Sequence, residues 1–292
     1  MNSNFFLSLV QQLYPTYTLD RAHAEQVALW LCEKVSRISP ALIRIESDTR
    51  LTHRQKEEIA ELINRLIKED YPLQYLLGSV PFCGLTLAVE PPLLIPRPET
   101  EEWVLRLVER IQRTGKSPRT ILDLCTGTGC IALALAQAFP QARVVGVDNN
   151  PEAVACAQRN SALSGVAATF IHSDLYNALD QQVFDLIVAN PPYIDEKEWH
   201  LLESRVRNFE DRGALIADDQ GYALLERIIQ YAPQYLDPAG LCMLVVEIGA
   251  TQATRVLTYA TSKGATAILD CDSQNLPRTI TNTWHTKKHT NH

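Results

Sequence analysis

The sequence predicts an α/β fold: a mostly parallel sheet with helices on both faces, preceded by a small all-α domain and a β-hairpin linker. Three observations predict it. Strand and helix patterns alternate from residue 119 onward, residues 1–77 carry helical patterns only, and a segment punctuated by Pro and Gly, 78–98, separates the two. Alternation of that length calls for crossover helices packed on both faces of one sheet. The expected divisions are 1–77, 78–98 and 99–292.

In the first division, Asp20 is placed to cap a helix through Val27, Leu29, Trp30 and Leu31, and Pro40 to start a short one through Leu42, Ile43 and Ile45. Thr52-His53-Arg54-Gln55 has the form of a capping box, in which side chain and backbone satisfy each other at a helix start. Behind it Ile59, Leu62, Ile63, Leu66 and Ile67 form one apolar helical stripe. Charges over residues 1–78 nearly balance, at −1, which does not suit a nucleic-acid clamp.

In the second division, Phe82, Leu85, Leu87 and Val89 suggest short strands broken by Pro81, Gly84, Pro91, Pro92, Pro96 and Pro98. Pro96-Arg97-Pro98-Glu99-Thr100-Glu101 then leads into a helix carrying Trp103, Val104, Leu107, Val108 and Ile111. Arg97, Glu99 and Thr100 are expected to wall a cleft.

In the third division, strands are expected over Thr120–Leu124, Ala142–Val147, Ala168–His172, Phe184–Ala189, Gly240–Glu247 and Thr266–Asp270, with a last short one over Thr281–Trp284. Helices are expected over Cys130–Phe139, Pro151–Leu163, Tyr222–Tyr235 and Thr251–Ser262.

The first of these strands runs into Cys125-Thr126-Gly127-Thr128-Gly129, where glycines let the backbone turn tightly and approach a ligand. The helix after it offers free N–H groups and a positive dipole end. Asp123 either touches a ligand there or caps the turn. Asp148 closes the second strand about 20 residues on, where a carboxylate can accept hydrogen bonds from a ribose diol. Gly127, Gly129 and Ala132 also fit a dinucleotide fingerprint, so this loop alone does not separate a nicotinamide cofactor from S-adenosylmethionine.

The end of the fourth strand separates them. Phe184–Ala189 is followed by Asn190-Pro191-Pro192-Tyr193. Neither proline has an N–H to donate, so ladder pairing stops and a stiff loop begins. It offers a carboxamide, a bare carbonyl at Pro191 and a phenol ring, whereas a dehydrogenase needs a hydride-acceptor site and usually an acid or base.

The formal net charge of −7 argues against a partner held through its phosphates. Seven scattered cysteines without a Cys-x-x-Cys pair suit a reducing cytoplasm, and no metal site is expected. No apolar run approaches the roughly 20 residues that span a bilayer, and Phe5-Phe6-Leu7-Ser8-Leu9-Val10 is short for a signal core. His285, His289 and His292 fall in a polar tail expected to be solvated. Glu210 and Asp211 are expected on a solvated face, Phe82 in a hairpin core or against a substrate loop, and Glu247 at the cleft rim.

Gly127-Thr128-Gly129, Asp148 and Asn190-Pro191-Pro192-Tyr193 resemble S-adenosylmethionine-dependent methyltransferases that act on planar amide or amino nitrogens. With Pro96-Arg97-Pro98-Glu99-Thr100-Glu101, Pro72-Leu73-Gln74-Tyr75-Leu76-Leu77-Gly78 and the helical first domain, the likeness narrows to the release-factor glutamine methyltransferases. These methylate the Gln of the Gly-Gly-Gln motif in peptide-chain release factors.

The resemblance implies a Rossmann-like seven-stranded sheet and no metal. It implies class I release factors as partners of a monomer, with no direct contact to nucleic acid or membrane. It also implies that Cys125, Thr126, Gly127, Thr128 and Gly129 wrap the cofactor, that Asp148 holds its ribose, and that Asp174 and Leu175 sit near its adenine. Asn190, Pro191, Pro192 and Tyr193 would hold the substrate amide, with Asn190, Pro191 and Tyr193 acting in catalysis and Asn190 also beside the cofactor. Cys125 stands where the family commonly has Gly, and Leu175 where some members have an aromatic ring. Three rival readings share features with this one: a ribosomal-protein glutamine methyltransferase, an adenine-N6 nucleic-acid methyltransferase, and a non-catalytic S-adenosylmethionine-binding docking protein.

Overall fold

Leu122, Leu124, Ile187, Val188, Ala189 and Val246 are fully buried and mark the centre of a seven-stranded sheet. The computed structural model describes residues 4–284, so His285, His289 and His292 lie outside the described residues. The first elements are α1 (Phe5–Leu13), α2 (Arg21–Ser36), α3 (Pro40–Arg50), α4 (His53–Lys68), α5 (Leu73–Leu77), β1 (Ser79–Phe82), β2 (Leu85–Ala88) and α6 (Pro98–Arg113). Then come β3 (Thr120–Leu124), α7 (Cys130–Ala138), β4 (Arg143–Asp148), α8 (Pro151–Ser164), β5 (Thr169–His172) and β6 (Leu186–Ala189). The described residues continue with α9 (Ser204–Phe209), α10 (Asp218–Gly221), α11 (Ala223–Tyr235), β7 (Met243–Glu247), α12 (Ala253–Ser262), β8 (Thr266–Cys271) and β9 (Pro277–Thr283).

Two units are distinguishable, the first reaching to Ser79 and including Glu203–Phe209, the second running over Val80–Leu202 and resuming at Glu210. The first unit is helical. Asp20 caps α2 by accepting from the Ala22 N–H at 2.9 Å, and Thr52 and Gln55 form the capping box of α4. Leu9, Leu13, Val27, Leu31, Ile59 and Ile63 meet in its core. Helix α1 was not anticipated, although Phe6, Leu9, Val10 and Leu13 recur at helical spacing and are all buried. Helix α3 runs further than the short helix expected after Pro40, with a kink at Glu46. Helix α9 completes this unit, with Phe209 edge-on to Tyr71 at 4.6 Å between ring centres and Arg205 beside Asp70 at 3.3 Å.

In the second unit the strand order is β5-β4-β3-β6-β7-β9-β8. The first five are parallel, and β9 runs antiparallel between β7 and β8. The last strand therefore starts at Pro277, earlier than the Thr281 expected, and pairs on both sides. The β1–β2 hairpin turns through Cys83 and Gly84, both at positive φ as the tight primed turns need. It is held to α8, where the Asn160 carboxamide accepts from the Ala88 N–H at 2.7 Å and donates to the Ala88 carbonyl at 3.0 Å.

Gly146 in β4 has no room for a side chain, since a Cβ there would lie 2.6 Å from the Phe170 ring on β5 and 2.7 Å from the Thr126 hydroxyl. Overpacking of this kind costs about 1–3 kcal/mol. Gly146→Ala should lower the chemical unfolding midpoint accordingly, and an unchanged midpoint would contradict this packing.

Asp123 organises the β3–α7 turn. One of its oxygens accepts from the Thr126 hydroxyl at 2.6 Å and from the Ala132 N–H at 3.1 Å. Burial pushes this carboxyl up to about 7, against the pull of those two bonds. The unfolded chain holds the same proton with ordinary carboxylate affinity, so the folded state binds it more tightly. The stabilisation is complete below the ordinary carboxylate range and is lost as pH rises through about 7. Calorimetry on the free protein should show the melting temperature falling from about pH 5 to about pH 7 more steeply than in Asp123→Asn, with the two slopes converging above that. Equal slopes within that interval would contradict the shift.

Candidate active site

Register places four strand ends in one row. Leu124 pairs with Val147 on one side and Ala189 on the other, and Ala189 pairs with Val246. The residues that follow, Cys125, Asp148, Asn190 and Glu247, therefore stand side by side at the carboxyl edge. From β3 the chain winds outward through β4 and β5, then returns to the other side at β6. Such a switch point opens a crevice at the carboxyl ends of the strands.

A cavity of about 350 Å³ fills that crevice, lined among others by Cys125, Gly127, Asp148, Asp174, Leu175, Asn190 and Pro192. Thr126, Thr128 and Gly129 do not line it and shape the loop instead. The Thr126 N–H donates to the Val147 carbonyl at 2.9 Å, and the Thr128 carbonyl accepts from Asn160 at 2.9 Å. Gly129 caps α7 at φ 81°, where a Cβ would come within 2.9 Å of that of Ala157. Cys125 adopts φ 57°, a left-handed conformation that disfavours any residue but glycine by roughly 1–2 kcal/mol. The sequence departure at Cys125 thus leaves the turn intact at a conformational cost. Leu175 is buried and also left-handed, at φ 49°.

Asp148 fixes the loop from the neighbouring strand. One of its oxygens accepts from the Gly127 N–H at 2.8 Å and the other from the Asn150 N–H at 2.9 Å. Each oxygen keeps acceptor capacity for a ligand. Burial pushes the carboxyl up, and the two backbone bonds oppose it.

A second, smaller cavity of about 50 Å³ is lined by all of Asn190, Pro191, Pro192 and Tyr193, together with Arg97 and Glu247. Asn190 and Pro192 line both cavities. The Asn190 side-chain nitrogen donates to the Thr100 hydroxyl at 3.2 Å. Thr100 in turn donates to Glu247 at 2.7 Å. The same Glu247 oxygen accepts from the Trp103 indole at 2.7 Å, and its other oxygen accepts from the Tyr193 hydroxyl at 3.3 Å. Thr100 and Glu247 are both 2 % exposed. Burial pushes Glu247 up, opposed by its bonds to Trp103 and Thr100 and by the Arg278 charge. Burial, and then the Glu247 charge, raise the Tyr193 phenol well above its ordinary range.

Further residues hold the loop from behind. The Tyr193 carbonyl accepts from the buried Gln252 side chain at 2.9 Å. Gly221, at φ 82°, approaches so closely that a Cβ would fall 2.0 Å from that carbonyl. Arg97 donates to both oxygens of Glu210 at 2.7 Å, and the Ile95 N–H donates to one of them at 3.3 Å. Glu210 is buried and Asp211 lines the larger cavity, so neither is on a solvated face. Phe82 is core, and Glu99 is exposed. Glu247 lines the smaller cavity, as its place at a strand end suggests, but is almost fully buried. Among the described residues no cluster of three His, Cys, Asp or Glu side chains could hold a metal ion.

The links from Asn190 through Thr100 to Glu247, and the supports from Gly221, Gln252 and Asn160, were not read from sequence. Their only signal there is position: Thr100 in the first turn after Pro98, and Glu247 at the end of an apolar run.

A family profile described as Methyltransferase small domain matches residues 105–220, and one described as PrmC N-terminal domain matches residues 17–78. A release factor glutamine methyltransferase of Geobacter sulfurreducens is 38% identical over 86% of this chain and 85% of its own. One of Salmonella typhimurium is 41% identical over 82% of this chain and 85% of its own. The fold is shared with a methyltransferase from Pyrococcus furiosus, at 13% identity and a TM-score of 0.51 over 70% of this chain and 90% of that one. By its identity to curated relatives over most of its length, the chain belongs to the release factor glutamine methyltransferase family.

Proposed function

We propose that the chain transfers a methyl group from S-adenosylmethionine to the side-chain amide nitrogen of the Gln in the Gly-Gly-Gln motif of class I peptide-chain release factors. The observation that carries this reading is the place of Asn190, whose carboxamide borders both the larger and the smaller cavity. One cavity has the size of a small-molecule site, and the other is small enough for a single side-chain amide.

The residues of the larger cavity fit the cofactor. Asp148 presents two carboxylate oxygens with spare acceptor capacity, which suits a ribose diol. Cys125 and Gly127 bring backbone close at positive φ, and Leu175 offers an apolar wall for a purine. Asp211 and Asp218 add acidic groups that favour a cationic ligand, while Asp174 is paired with Arg227 of the same cavity at 3.0 Å. When bound, S-adenosylmethionine supplies an electrophilic methyl group on a sulfonium sulfur.

The chain's own task is orientation. A carboxamide nitrogen is a weak nucleophile because its lone pair is delocalised into the carbonyl. The Asn190 oxygen and the Pro191 carbonyl each accept one of its hydrogens, which aims the nitrogen and favours the positive charge that grows on it during attack, and one of those hydrogens then leaves as a proton to water. The Tyr193 ring packs on the flat face of the amide. Pro192 keeps the loop stiff. The enzyme acts in this reading as a cytoplasmic monomer without a metal and without direct contact to nucleic acid. No helix among the described residues is long and apolar enough to cross a membrane.

Incubation with purified release factor and cofactor, followed by mass spectrometry of the Gly-Gly-Gln peptide, tests the reading. Asn190→Ala should cut methyl transfer by about 100-fold or more with cofactor affinity nearly unchanged. Asp148→Ala should weaken cofactor binding first. Equal loss of cofactor affinity in both variants, or no methylated Gln in the wild type, would refute the assignment.

A further inference from the structure

We propose that Glu247, acting through Thr100, is a positioning residue that fixes which end of the Asn190 carboxamide is free to meet the substrate. The inference rests on the function proposed above. The two ends of an Asn side chain have nearly the same shape and opposite hydrogen-bond character, one accepting and one donating. A site that must accept an amide hydrogen needs the oxygen in place, and packing alone does not choose it.

The choice comes from counting protons. The Thr100 hydroxyl has one hydrogen and can accept as well. An ionised Glu247 only accepts, and the Trp103 indole only donates. The carboxylate therefore takes the Thr100 proton at 2.7 Å while holding Trp103 at 2.7 Å through the same oxygen. Thr100 is left as an acceptor, and only the Asn190 nitrogen can satisfy it, as it does at 3.2 Å. The Asn190 oxygen is then the end left for the cavity.

Without an acceptor at position 247 the Thr100 proton can turn toward Asn190. The carboxamide then flips, and its N–H groups oppose those of the substrate amide. The groups that face Glu247 are Thr100 and Trp103 from α6, Tyr193 from the loop after β6, and Arg278 from β9. Arg278 is itself paired with Asp272 at 2.9 Å, so its charge supports the ionised carboxylate from a fixed place.

Thr100→Val removes the hydroxyl and keeps the shape. Its kcat should fall about 100-fold, with cofactor affinity by calorimetry and KM for release factor within about 3-fold of wild type. Thr100→Ser should restore most of the rate. Because Thr100 acts through Asn190, the double variant Thr100→Val with Asn190→Ala should be no slower than Asn190→Ala alone.

At position 247, Glu247→Gln keeps an acceptor oxygen and should stay within about 10-fold of wild type, while Glu247→Leu should fall as far as Thr100→Val. A protonated Glu247 also keeps one acceptor oxygen, so the wild-type rate should fall toward acid no further than to the level of Glu247→Gln. A wild-type rate in Thr100→Val beside an inactive Asn190→Ala overturns the relay and leaves the function standing. So does a loss in Thr100→Val shared by rate and cofactor affinity, or a Glu247→Gln as slow as Glu247→Leu. Full activity in Asn190→Ala overturns the functional reading itself.

Discussion

The pairing of β6 between β3 and β7 is the constraint on which the site depends. A strand shifted by one residue turns every side chain to the opposite face. Here four apolar strands are buried together on both faces, and their register sets which residue each presents at the carboxyl edge. The glycine loop, Asp148, Asn190 and Glu247 meet at one edge because Leu124, Val147, Ala189 and Val246 lie in one line. Pro191 and Pro192 then end β6 at a defined point, since neither can carry a ladder bond further.

Two interior carboxylates serve this edge in different ways. An unpaired buried carboxylate is disfavoured by several kcal/mol, and both groups hold protons more tightly than in water. Asp123 meets the cost locally, with two bonds inside its own turn. Glu247 collects donors from separate elements, namely Thr100 and Trp103 on α6 and Tyr193 on the loop. The first arrangement shapes a turn. The second joins α6 and β7 to the Asn190 loop, so the burial of one charge determines how a neighbouring amide is presented.

Much of this was legible in the sequence, for identifiable reasons. Short continuous apolar runs located the parallel strands, which are buried on both faces, and period-3.6 patterns located their helices, to within a few residues. The loop after β6 was legible because paired prolines have a unique backbone consequence. The antiparallel β9 was only half visible. Pro277-Arg278-Thr279 carries no apolar alternation, and its pairing depends on β7 and β8 arriving beside it. Thr100, Glu247, Gly221 and Gln252 were invisible as a set, since they lie up to 152 positions apart and their relation exists only once the sheet has formed. The Arg97–Glu210 pair was hidden for the same reason: a charged residue in a loop looks solvated until its partner is known.

The central claim is that a stiff loop at the end of β6 holds a glutamine amide by two oxygens while Thr100 holds the Asn190 nitrogen. A crystal structure with S-adenosylhomocysteine and a Gly-Gly-Gln peptide tests it most directly. The glutamine nitrogen should lie within hydrogen-bond distance of both the Asn190 oxygen and the Pro191 carbonyl, with the Asn190 nitrogen still on Thr100. A glutamine side chain bound away from Asn190, or held through the Asn190 nitrogen, would contradict it.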